Sequence, residues 1–425
     1  MDEKLLYYIW RFQQFDCSKL KTSTGEAITV FQPGHLNEDS GPDFSQARIK
    51  IGNIEWVGNV EIHVMASDWL LHNHQKNMAF ENVILHVVWQ LNKEIKRRDG
   101  SIIPTLALET FVDSSLIKKY RQLQINLEEI ACSSQLRNVS SLTIGTMIQN
   151  TAIERIERKC HDIGNLLDKT NNDWEKVAWV MIARSLGMKI NSGVFEKLIL
   201  SIPTNLLIKS EDDLHYKEAL LFGMAGFLAD PIDGPYFEKL DQEFQFLKSK
   251  YQLTTPLQKW YWKFSKLRPT SFPTLRIGQL CSVLNKAHGI FSLLREMQYV
   301  DELKHILDTP PSTYWQHHYN FNKKTKYKIN GIGKTTIHNI IINAVAPLMA
   351  TYAQKYGQQN LMEKVISWIE EIPAEDNKIL KKWKVLDIHA ANALESQGTI
   401  QLYNNYCRSK KCLSCRIGSE IISHK

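Results

Sequence analysis

The sequence predicts an α+β protein with an N-terminal α/β domain containing a mixed sheet, followed by a larger, mostly α-helical region. Two observations predict this class. Short β-type segments, alternating or wholly apolar, are concentrated in the first 115 residues. Beyond them, apolar residues recur every three or four positions, as in amphipathic helices, with Gly, Pro and Asn between the segments. We therefore expect domains at residues 1–115, 116–300 and 301–425, the last two helical.

The elements of the N-terminal domain can be read in order. Apolar positions at helical spacing predict a helix within residues 2–15, and AITVF after a TSTGE turn predicts a short strand. ARIKI and IEWVGNVEIHV, separated by Gly52-Asn53, predict a hairpin. NVILHVVWQL is apolar on both faces, which is typical of a central strand buried on both sides, and IIPTLALET predicts a further strand.

Composition and charge restrict the class of protein. The 425 residues are 43% hydrophobic and 23% charged, as in an ordinary globular protein, and no apolar run has the length of a membrane span. The start lacks the features of a secretion signal, and scattered cysteines argue against a disulfide framework. We expect a cytoplasmic protein without a membrane partner. A net charge of +7 is compatible with nucleic acid as the partner.

The stretch GPDFSQARIKIGNIEWVGNVEIHV, residues 41–64, contains the candidate site. Strand side chains alternate between two faces, so Glu61 and His63 are neighbours. Asp43 lies where the hairpin begins and can approach Glu61. Two converging carboxylates suit Mg²⁺ or Mn²⁺, and such an ion can activate water and neutralise charge on a phosphodiester. The alternative is that Glu61 and His63 face solvent on a half-exposed strand.

Nearby histidines offer another kind of metal site. His72 and His74 could bind Zn²⁺ or Mn²⁺, and a hydrolase of that kind would use histidine ligands together with a carboxylate. Solvent-exposed loop histidines are the other interpretation. His86 interrupts an apolar strand, where we expect a buried histidine with satisfied hydrogen bonds.

The same stretch resembles the PD-(D/E)XK nuclease superfamily, whose pattern is Pro-Asp, a hairpin, and Asp/Glu-x-Lys on a strand. PD at 42–43 and EIH at 61–63 match it, except that histidine replaces the lysine. The resemblance implies a restriction-endonuclease-like fold and metal-dependent hydrolysis of nucleic acid. His63 would position or deprotonate the attacking water, and the superfamily also places a glutamate on the preceding helix. The candidate catalytic residues are Asp43, Glu61, His63 and Glu3. The missing lysine leaves open a non-catalytic nucleic-acid-binding or scaffold protein on a decayed nuclease fold.

Two segments of the helical region are candidates for nucleic-acid contact. Residues 258–280 interleave aromatic and basic side chains, including Lys266 and Arg268, which suits stacking on bases and contact with phosphates. The alternative is that the aromatic side chains pack between helices. Gly331 and Gly333, followed by Lys334, resemble the helix-hairpin-helix motif, whose glycines let backbone N–H groups approach a DNA phosphate. A plain glycine before a helix is the alternative there.

The C-terminal segment carries Cys407, Cys412 and Cys415 at C-x4-C-x2-C spacing. Three thiols so close together in a reducing compartment predict zinc or an iron-sulfur cluster. The fourth ligand is open, with His424 and His389 as candidates, and unliganded thiols are the alternative.

Taken whole, the sequence resembles an uncharacterised bacterial family known only as a domain of unknown function. The resemblance rests on the ordered series GPDF, GNVEIHV, SDWLLHNH, VILHVVW and a late CLSC. It implies no activity, so the nuclease hypothesis depends on the residues and on the distant likeness of the first domain.

Overall fold

The protein is described by a computed structural model that covers residues 1–37, 39–209, 213–253 and 257–423. It forms two compact units: unit 1 is residues 1–147 with 402–425, and unit 2 is residues 148–401. The fold class is α+β, with a mixed sheet near the N-terminus followed by a mostly helical region, as the sequence predicts. The division into three domains with boundaries near residues 115 and 300 stays a prediction.

Unit 1 is built on a mixed sheet that has six strands within the described residues. They are β1 (Ile28–Gln32), β2 (His35–Leu36), β3 (Phe44–Ile51), β4 (Ile54–Met65), β5 (Val83–Gln90) and β6 (Thr105–Ala107). Their order is β1-β3-β4-β5-β6, and β2 pairs with β3. Strand β3 is antiparallel to β1 and β4, whereas β5 is parallel to β4 and β6.

The hairpin and the central strand that the sequence predicts are both present. Strands β3 and β4 form the hairpin, closed by Gly52 and Asn53, and Gly52 has a φ of +58°, which glycine adopts without strain. Strand β5 lies between β4 and β6 and is buried at its first six positions. A parallel strand covered on both faces requires such a continuous apolar run.

The helices in the described part of the chain follow in order. They are α1 (Glu3–Arg11), α2 (Asp68–Leu71), α3 (Ser114–Ile125), α4 (Ser141–Lys169), α5 (Trp174–Leu186), α6 (Met188–Leu200), α7 (Thr204–Leu207), α8 (Leu214–Met224), α9 (Pro235–Lys250), α10 (Pro273–Lys286), α11 (Ile290–Glu296), α12 (Val300–Leu307), α13 (Thr313–His317), α14 (Lys334–Ile340), α15 (Ala346–Lys355), α16 (Gln359–Glu370), α17 (Lys378–Lys384), α18 (Ala393–Gln401) and α19 (Arg416–Ser423).

Helix α1 and the β4–β5 connection frame the candidate site. Asp2 caps α1 by accepting a hydrogen bond from the Leu5 N–H at 2.8 Å, and the apolar face of the helix packs against β4. Because β4 and β5 are parallel, the chain must cross over between them. It does so through α2 and two 3-10 turns, His74–Lys76 and Met78–Phe80. This crossover carries His72 and His74.

Unit 2 is helical around one apolar core. Helix α8 is buried along most of its length, including Lys217 and Glu218, and α5 and α10 pack in the same core. A short hairpin of β7 (His318–Asn320) and β8 (Lys323–Lys324) precedes α14. A π-helical turn at Ile341–Val345 joins α14 to α15. None of the helices that the structure describes has both the length and the apolar character needed to cross a membrane.

Candidate metal site

The structure brings Asp43 and Glu61 together through their backbones. Asp43 immediately precedes β3, and the pairing of Phe44 with Val60 sets it beside Glu61 on β4. The Asp43 N–H donates to Glu61 Oε2 at 3.0 Å, and the Ile62 N–H donates to Asp43 Oδ2 at 2.9 Å. Each carboxylate is therefore held by a backbone N–H of the other strand.

Helix α1 supplies the second contact to Asp43. The Tyr7 hydroxyl donates to Asp43 Oδ1 at 2.7 Å, so both oxygens of Asp43 accept a hydrogen bond. Burial raises the pKa of Asp43, while the hydrogen bonds from Tyr7 and Ile62 lower it. Burial and the Asp43 carboxylate raise the pKa of Tyr7. Glu3 begins α1, and its negative charge contributes to raising the pKa values of Tyr7, Asp43 and Glu61.

Glu61 and His63 lie in the protein interior. Their exposed fractions are 4% and 1%, so the alternative in which both face solvent is wrong. The reason is that α2 and the two 3-10 turns of the crossover lie against this part of β4. Burial, and then the nearby charge of Asp43, raises the pKa of Glu61 to about 8. Two ionised acids side by side in the interior are costly, and either protonation of one acid or a bound cation relieves this cost.

Three histidines and Glu61, here called the histidine cluster, have donor atoms at metal-binding separations. The ligand nitrogens of His63, His72 and His74 all lie within 4.8 Å of one another. His63 Nε2 is 3.2 Å from His72 Nδ1 and 3.7 Å from Glu61 Oε1, and His74 Nε2 is 3.2 Å from the same oxygen. Ligands on one tetrahedral zinc ion, with bonds of about 2.1 Å, are about 3.4 Å apart. The observed separations fit a single ion.

His63 and His74 are in the protonation state that binds metals. Burial, with a smaller contribution from neighbouring imidazoles, lowers the pKa of His63 to about 2 and that of His74 to about 4. Burial likewise lowers the pKa of His86 to about 3. These three rings are therefore neutral at pH 7, and neutral imidazole is the form that coordinates a metal ion.

His86 orients His63 through the ring nitrogen that is not the proposed ligand atom. Its Nε2 lies 2.9 Å from His63 Nδ1, which directs His63 Nε2 toward Glu61 and His72. Such partners behind a ligating histidine fix its tautomer and ring orientation. The expectation of a fully satisfied buried histidine is met only in part, because His86 Nδ1 has no hydrogen-bond partner among the described residues.

The local chain conformation directs His72 and His74 toward His63. His72 follows the last residue of α2, Asn73 adopts the left-handed conformation with a φ of +60°, and His74 begins the following 3-10 turn. Phe80 stacks on the His74 ring with centroids 3.9 Å apart, and Trp69 packs edge-on against His63. His74 Nε2 is buried and makes no hydrogen bond within the described chain, despite its closeness to Glu61. A metal ion would supply the missing partner.

Tyr7 and the paired position of His86 are features that sequence reasoning missed. Parallel pairing places His86 opposite Glu61, in the register that also pairs His63 with Val88. The register of parallel strands joined by a long crossover has no local sequence signal. Tyr7 lies one helical turn after Glu3, so the sequence offered a weak signal for it on the same face of α1.

Tyr7 also lines a cleft formed within unit 1. The cleft has a volume of about 1200 Å³. Its basic lining residues are Lys4, Arg11, Lys410, Lys411 and Arg416, and its acidic ones are Asp2 and Glu420. The cations outnumber the acids, which suits an anionic ligand. The histidines do not line this cleft, and Tyr7 connects it to the site through the hydrogen bond to Asp43.

In unit 2, Lys266 and Arg268 lie exposed in an irregular segment. Of the neighbouring aromatic residues, Trp262 is buried and its indole N–H donates to the Ala225 carbonyl at 2.8 Å. Phe264 packs edge-on against Phe272. The packing interpretation therefore accounts for these two rings, and contact of Lys266 and Arg268 with nucleic acid stays a prediction.

Gly331 and Gly333 precede α14, which begins at Lys334. Gly331 is required by packing, because a Cβ there would lie 2.7 Å from Asp308 Oδ1, and its carbonyl accepts from Gln279 Nε2 at 2.8 Å. The chain before these glycines is the β7–β8 hairpin and an irregular stretch. DNA binding by Gly331, Gly333 and Lys334 stays a prediction.

The three C-terminal cysteines occupy one turn region of unit 1. Cys407 ends a π-helical turn, Cys412 begins a 3-10 turn, and Cys415 immediately precedes α19. Of the two candidate fourth ligands, His389 belongs to unit 2 and is exposed, and His424 lies outside the described residues.

Comparison with known proteins gives a family and no activity. No curated protein and no solved structure matches the chain. A family model described as "Protein of unknown function (DUF2851)" matches residues 3–378. The match includes the histidine cluster and ends before the three C-terminal cysteines. Because it covers most of the 425 residues, the chain belongs to this family of proteins of unknown function.

Proposed function

We propose that the protein is a metal-dependent hydrolase of phosphodiester bonds in nucleic acid, with a divalent ion held by Glu61, His63, His72 and His74. One observation carries the proposal: three histidine nitrogens and a buried carboxylate oxygen lie at the separations of ligands on one ion. Neutral imidazoles and an unpartnered His74 Nε2 support it.

The donor set favours Zn²⁺ or Mn²⁺ over Mg²⁺. Imidazole nitrogen suits transition metals, whereas Mg²⁺ is bound through oxygen ligands and retained waters. Asp43 has a different role, because both of its oxygens already accept hydrogen bonds, from Tyr7 and Ile62. Its backbone N–H holds Glu61 in place, so Asp43 is a positioning residue for the carboxylate ligand.

The chemistry follows from the arrangement of the cluster. A bound divalent ion lowers the pKa of a coordinated water and neutralises charge developing on a phosphodiester. His72 is the exposed member of the cluster, whereas His63 is buried, so substrate would approach from the His72 side. His86 keeps His63 in the orientation that the proposed ligand role needs.

A phosphodiester substrate is supported by two further observations. The PD and EIH segments of the β3–β4 hairpin resemble the nuclease pattern at corresponding positions. The basic cleft meets the site at Tyr7, and lysine and arginine contacts to phosphates provide most of the sequence-independent affinity for nucleic acid. A cytoplasmic location belongs to the same proposal, supported by the fact that all seven cysteines, each within the described chain, are free.

The test is cleavage of labelled single- and double-stranded DNA and RNA with Zn²⁺, Mn²⁺ or Mg²⁺, together with metal binding measured by calorimetry. We expect wild type to bind Zn²⁺ or Mn²⁺ at the histidine cluster and to cut, and Glu61→Gln and His74→Ala to lose both the cutting and the binding at that cluster. His35→Ala is the matched control, because His35 is an exposed histidine of unit 1 outside the cluster. It should behave as wild type.

Three outcomes discriminate between the alternatives. Cutting with Mg²⁺ that needs Asp43 and Glu61 but survives His74→Ala would overturn the histidine site in favour of a carboxylate pair sharing the ion. Metal and nucleic-acid binding without cutting under any condition would overturn the hydrolase and support a non-catalytic scaffold on a decayed nuclease fold. Absence of Zn²⁺ and Mn²⁺ binding by wild type would remove the basis of the proposal.

A further inference from the structure

A fourth cysteine lies with the three of the C-terminal segment. Cys132 is remote in sequence, yet the 3-10 turn Ser133–Asn138 that directly follows it packs against α19, which directly follows Cys415. All four thiols lie within electrostatic range of one another.

Hydrogen bonds fix the Cys132 segment against the C-terminal segment. Close to Cys407, the Tyr403 hydroxyl donates to Glu129 Oε2 at 2.6 Å. Gln124 Nε2 donates to the Lys410 carbonyl at 3.1 Å, and Lys410 Nζ donates to the Gln124 carbonyl. The two segments are therefore joined on both sides of Cys407, and all of these residues belong to unit 1.

The turn that carries Cys412 and Cys415 has the geometry of a thiolate-binding turn. Cys412 begins a 3-10 turn, and the Cys415 N–H donates to the Cys412 carbonyl at 3.3 Å. The backbone N–H groups of Ile417 and Gly418 donate to the Cys415 sulfur. Hydrogen bonds of this kind stabilise metal-bound thiolates. A Cβ at Gly418 would lie 2.3 Å from the Cys412 oxygen, so this close turn requires glycine.

From this arrangement we infer that Cys132, Cys407, Cys412 and Cys415 bind a metal centre, either a zinc ion or an iron-sulfur cluster, through four thiolates. Four thiolates form a complete ligand set for both kinds of centre. Cys132 thus fills the position that the C-x4-C-x2-C motif leaves open. The inference is independent of the proposed hydrolase, because none of the four cysteines belongs to the histidine cluster.

The centre would act as a cross-link within unit 1. The polypeptide leaves unit 1 after residue 147 and returns at residue 402, so the last segment is far in sequence from the sheet-bearing part. A metal bound by Cys132 and by three cysteines of the returning segment would join the two covalently remote parts. Binding free energy of this kind adds directly to folding stability.

The first experiment measures zinc, iron and acid-labile sulfide in full-length protein purified without oxygen. All chains carry His74→Ala, so that metal at the histidine cluster does not contribute. We expect zinc without sulfide, or iron with a comparable amount of sulfide, and loss of that metal in Cys132→Ser. Cys17→Ser is the matched control, since Cys17 is an exposed cysteine of unit 1, and it should retain the metal. Unchanged metal content in Cys132→Ser, or no metal in the parent chain, would overturn the inference.

A second measurement avoids variants that could fail to fold. Native wild-type protein is treated with a thiol-alkylating reagent before and after metal removal, and the labelled cysteines are identified by mass spectrometry. We expect Cys17 to be labelled in both conditions, and Cys132 to be labelled together with Cys407, Cys412 and Cys415 only after metal removal. Equal labelling of Cys132 in both conditions would contradict the four-thiolate centre.

Discussion

Ionisable side chains in the interior have different partners in the two units. In unit 2, the buried Lys217 and the half-buried Glu175 bond mainly to backbone groups. Lys217 is fully buried, and its Nζ donates to the carbonyls of Leu207 and Lys209, both at 2.8 Å. On helix α5, the Glu175 carboxylate accepts from two backbone N–H groups at the start of α11, at 2.8 and 2.9 Å.

In unit 1 the buried ionisable groups face one another. Glu61 lies beside Asp43, and on its other side it approaches His63 and His74. His86 extends the same group behind His63. Charges satisfied by backbone groups complete a fold, whereas acids and neutral imidazoles that face each other form a ligand set for a cation. This difference indicates that the candidate function belongs to unit 1. It predicts that substitutions of these side chains in unit 2 change stability, whereas substitutions in unit 1 change metal binding.

The largest effect on stability is expected from Lys217→Met, which keeps most of the buried volume and removes the donor. Two backbone carbonyls lose a charged hydrogen-bond donor, so the free energy of unfolding should fall by about 4 kcal/mol. Metal binding in unit 1 should not change. Denaturant unfolding and calorimetric titration with Zn²⁺ measure the two quantities. Lys239→Met, at an exposed position of α9, is the control. Loss of metal affinity at unchanged stability would contradict the comparison.

Glu218 provides a pH-dependent test of the expectation that buried charges in unit 2 affect stability. Burial raises its pKa from the ordinary value of 4.5 to about 7, and the Tyr236 hydroxyl donates to it at 2.9 Å. The folded protein therefore binds a proton that the unfolded chain has released. Stability falls as pH rises from about 4.5 to about 7, by about 3 kcal/mol from this group.

The comparison is made with Glu218→Gln, which removes the titrating carboxyl. We expect the difference in unfolding free energy between this variant and wild type to change by about 3 kcal/mol between pH 4.5 and pH 8, in favour of the variant at the higher pH. Glu363→Gln, at an exposed position of α16, should show no such trend. Parallel pH profiles of wild type and Glu218→Gln would show that Glu218 does not titrate in this range.

In unit 1 the corresponding change is His86→Phe, which keeps the aromatic volume inside β5 and removes the contact to His63. Because His86 supports a proposed ligand from behind, affinity for Zn²⁺ should fall about 10- to 100-fold. His288→Phe, in unit 2, is the control. Calorimetric titration measures the affinity, and circular dichroism checks the fold. If His86→Phe bound Zn²⁺ as tightly as wild type, either His63 would not be a ligand or His86 would not orient it.

Much of the fold could be predicted from the sequence because its signals are local. The apolar spacing of α1, the turn at Gly52-Asn53 and the unbroken apolar run of β5 each lie within a few residues. The sequence also singled out Asp43, Glu61 and His63 by type and alternation. Those residues lie close in space because one hairpin carries them all.

The remainder of the candidate site depends on pairings that no local pattern reveals. His86 lies opposite Glu61 only because β4 and β5 pair in parallel in one particular register. His74 turns inward because Asn73 adopts a left-handed conformation after α2. Cys132 lies with cysteines nearly three hundred positions later because the chain returns to unit 1 after completing unit 2. In each case tertiary structure decides which candidate residues meet.

The smallest effect is expected from Tyr7→Phe, which removes a single hydroxyl. Its hydrogen bond to Asp43 Oδ1 is lost, while the Ile62 N–H still bonds the other oxygen. One hydrogen bond to a charged group contributes about 1.5 kcal/mol, so stability should fall by about that amount. Metal affinity should fall by about tenfold at most, because Asp43 acts on the ion only through Glu61. Tyr261→Phe, at an exposed tyrosine of unit 2, is the control. If Tyr7→Phe abolished metal binding, Asp43 would be a direct ligand rather than a positioning residue.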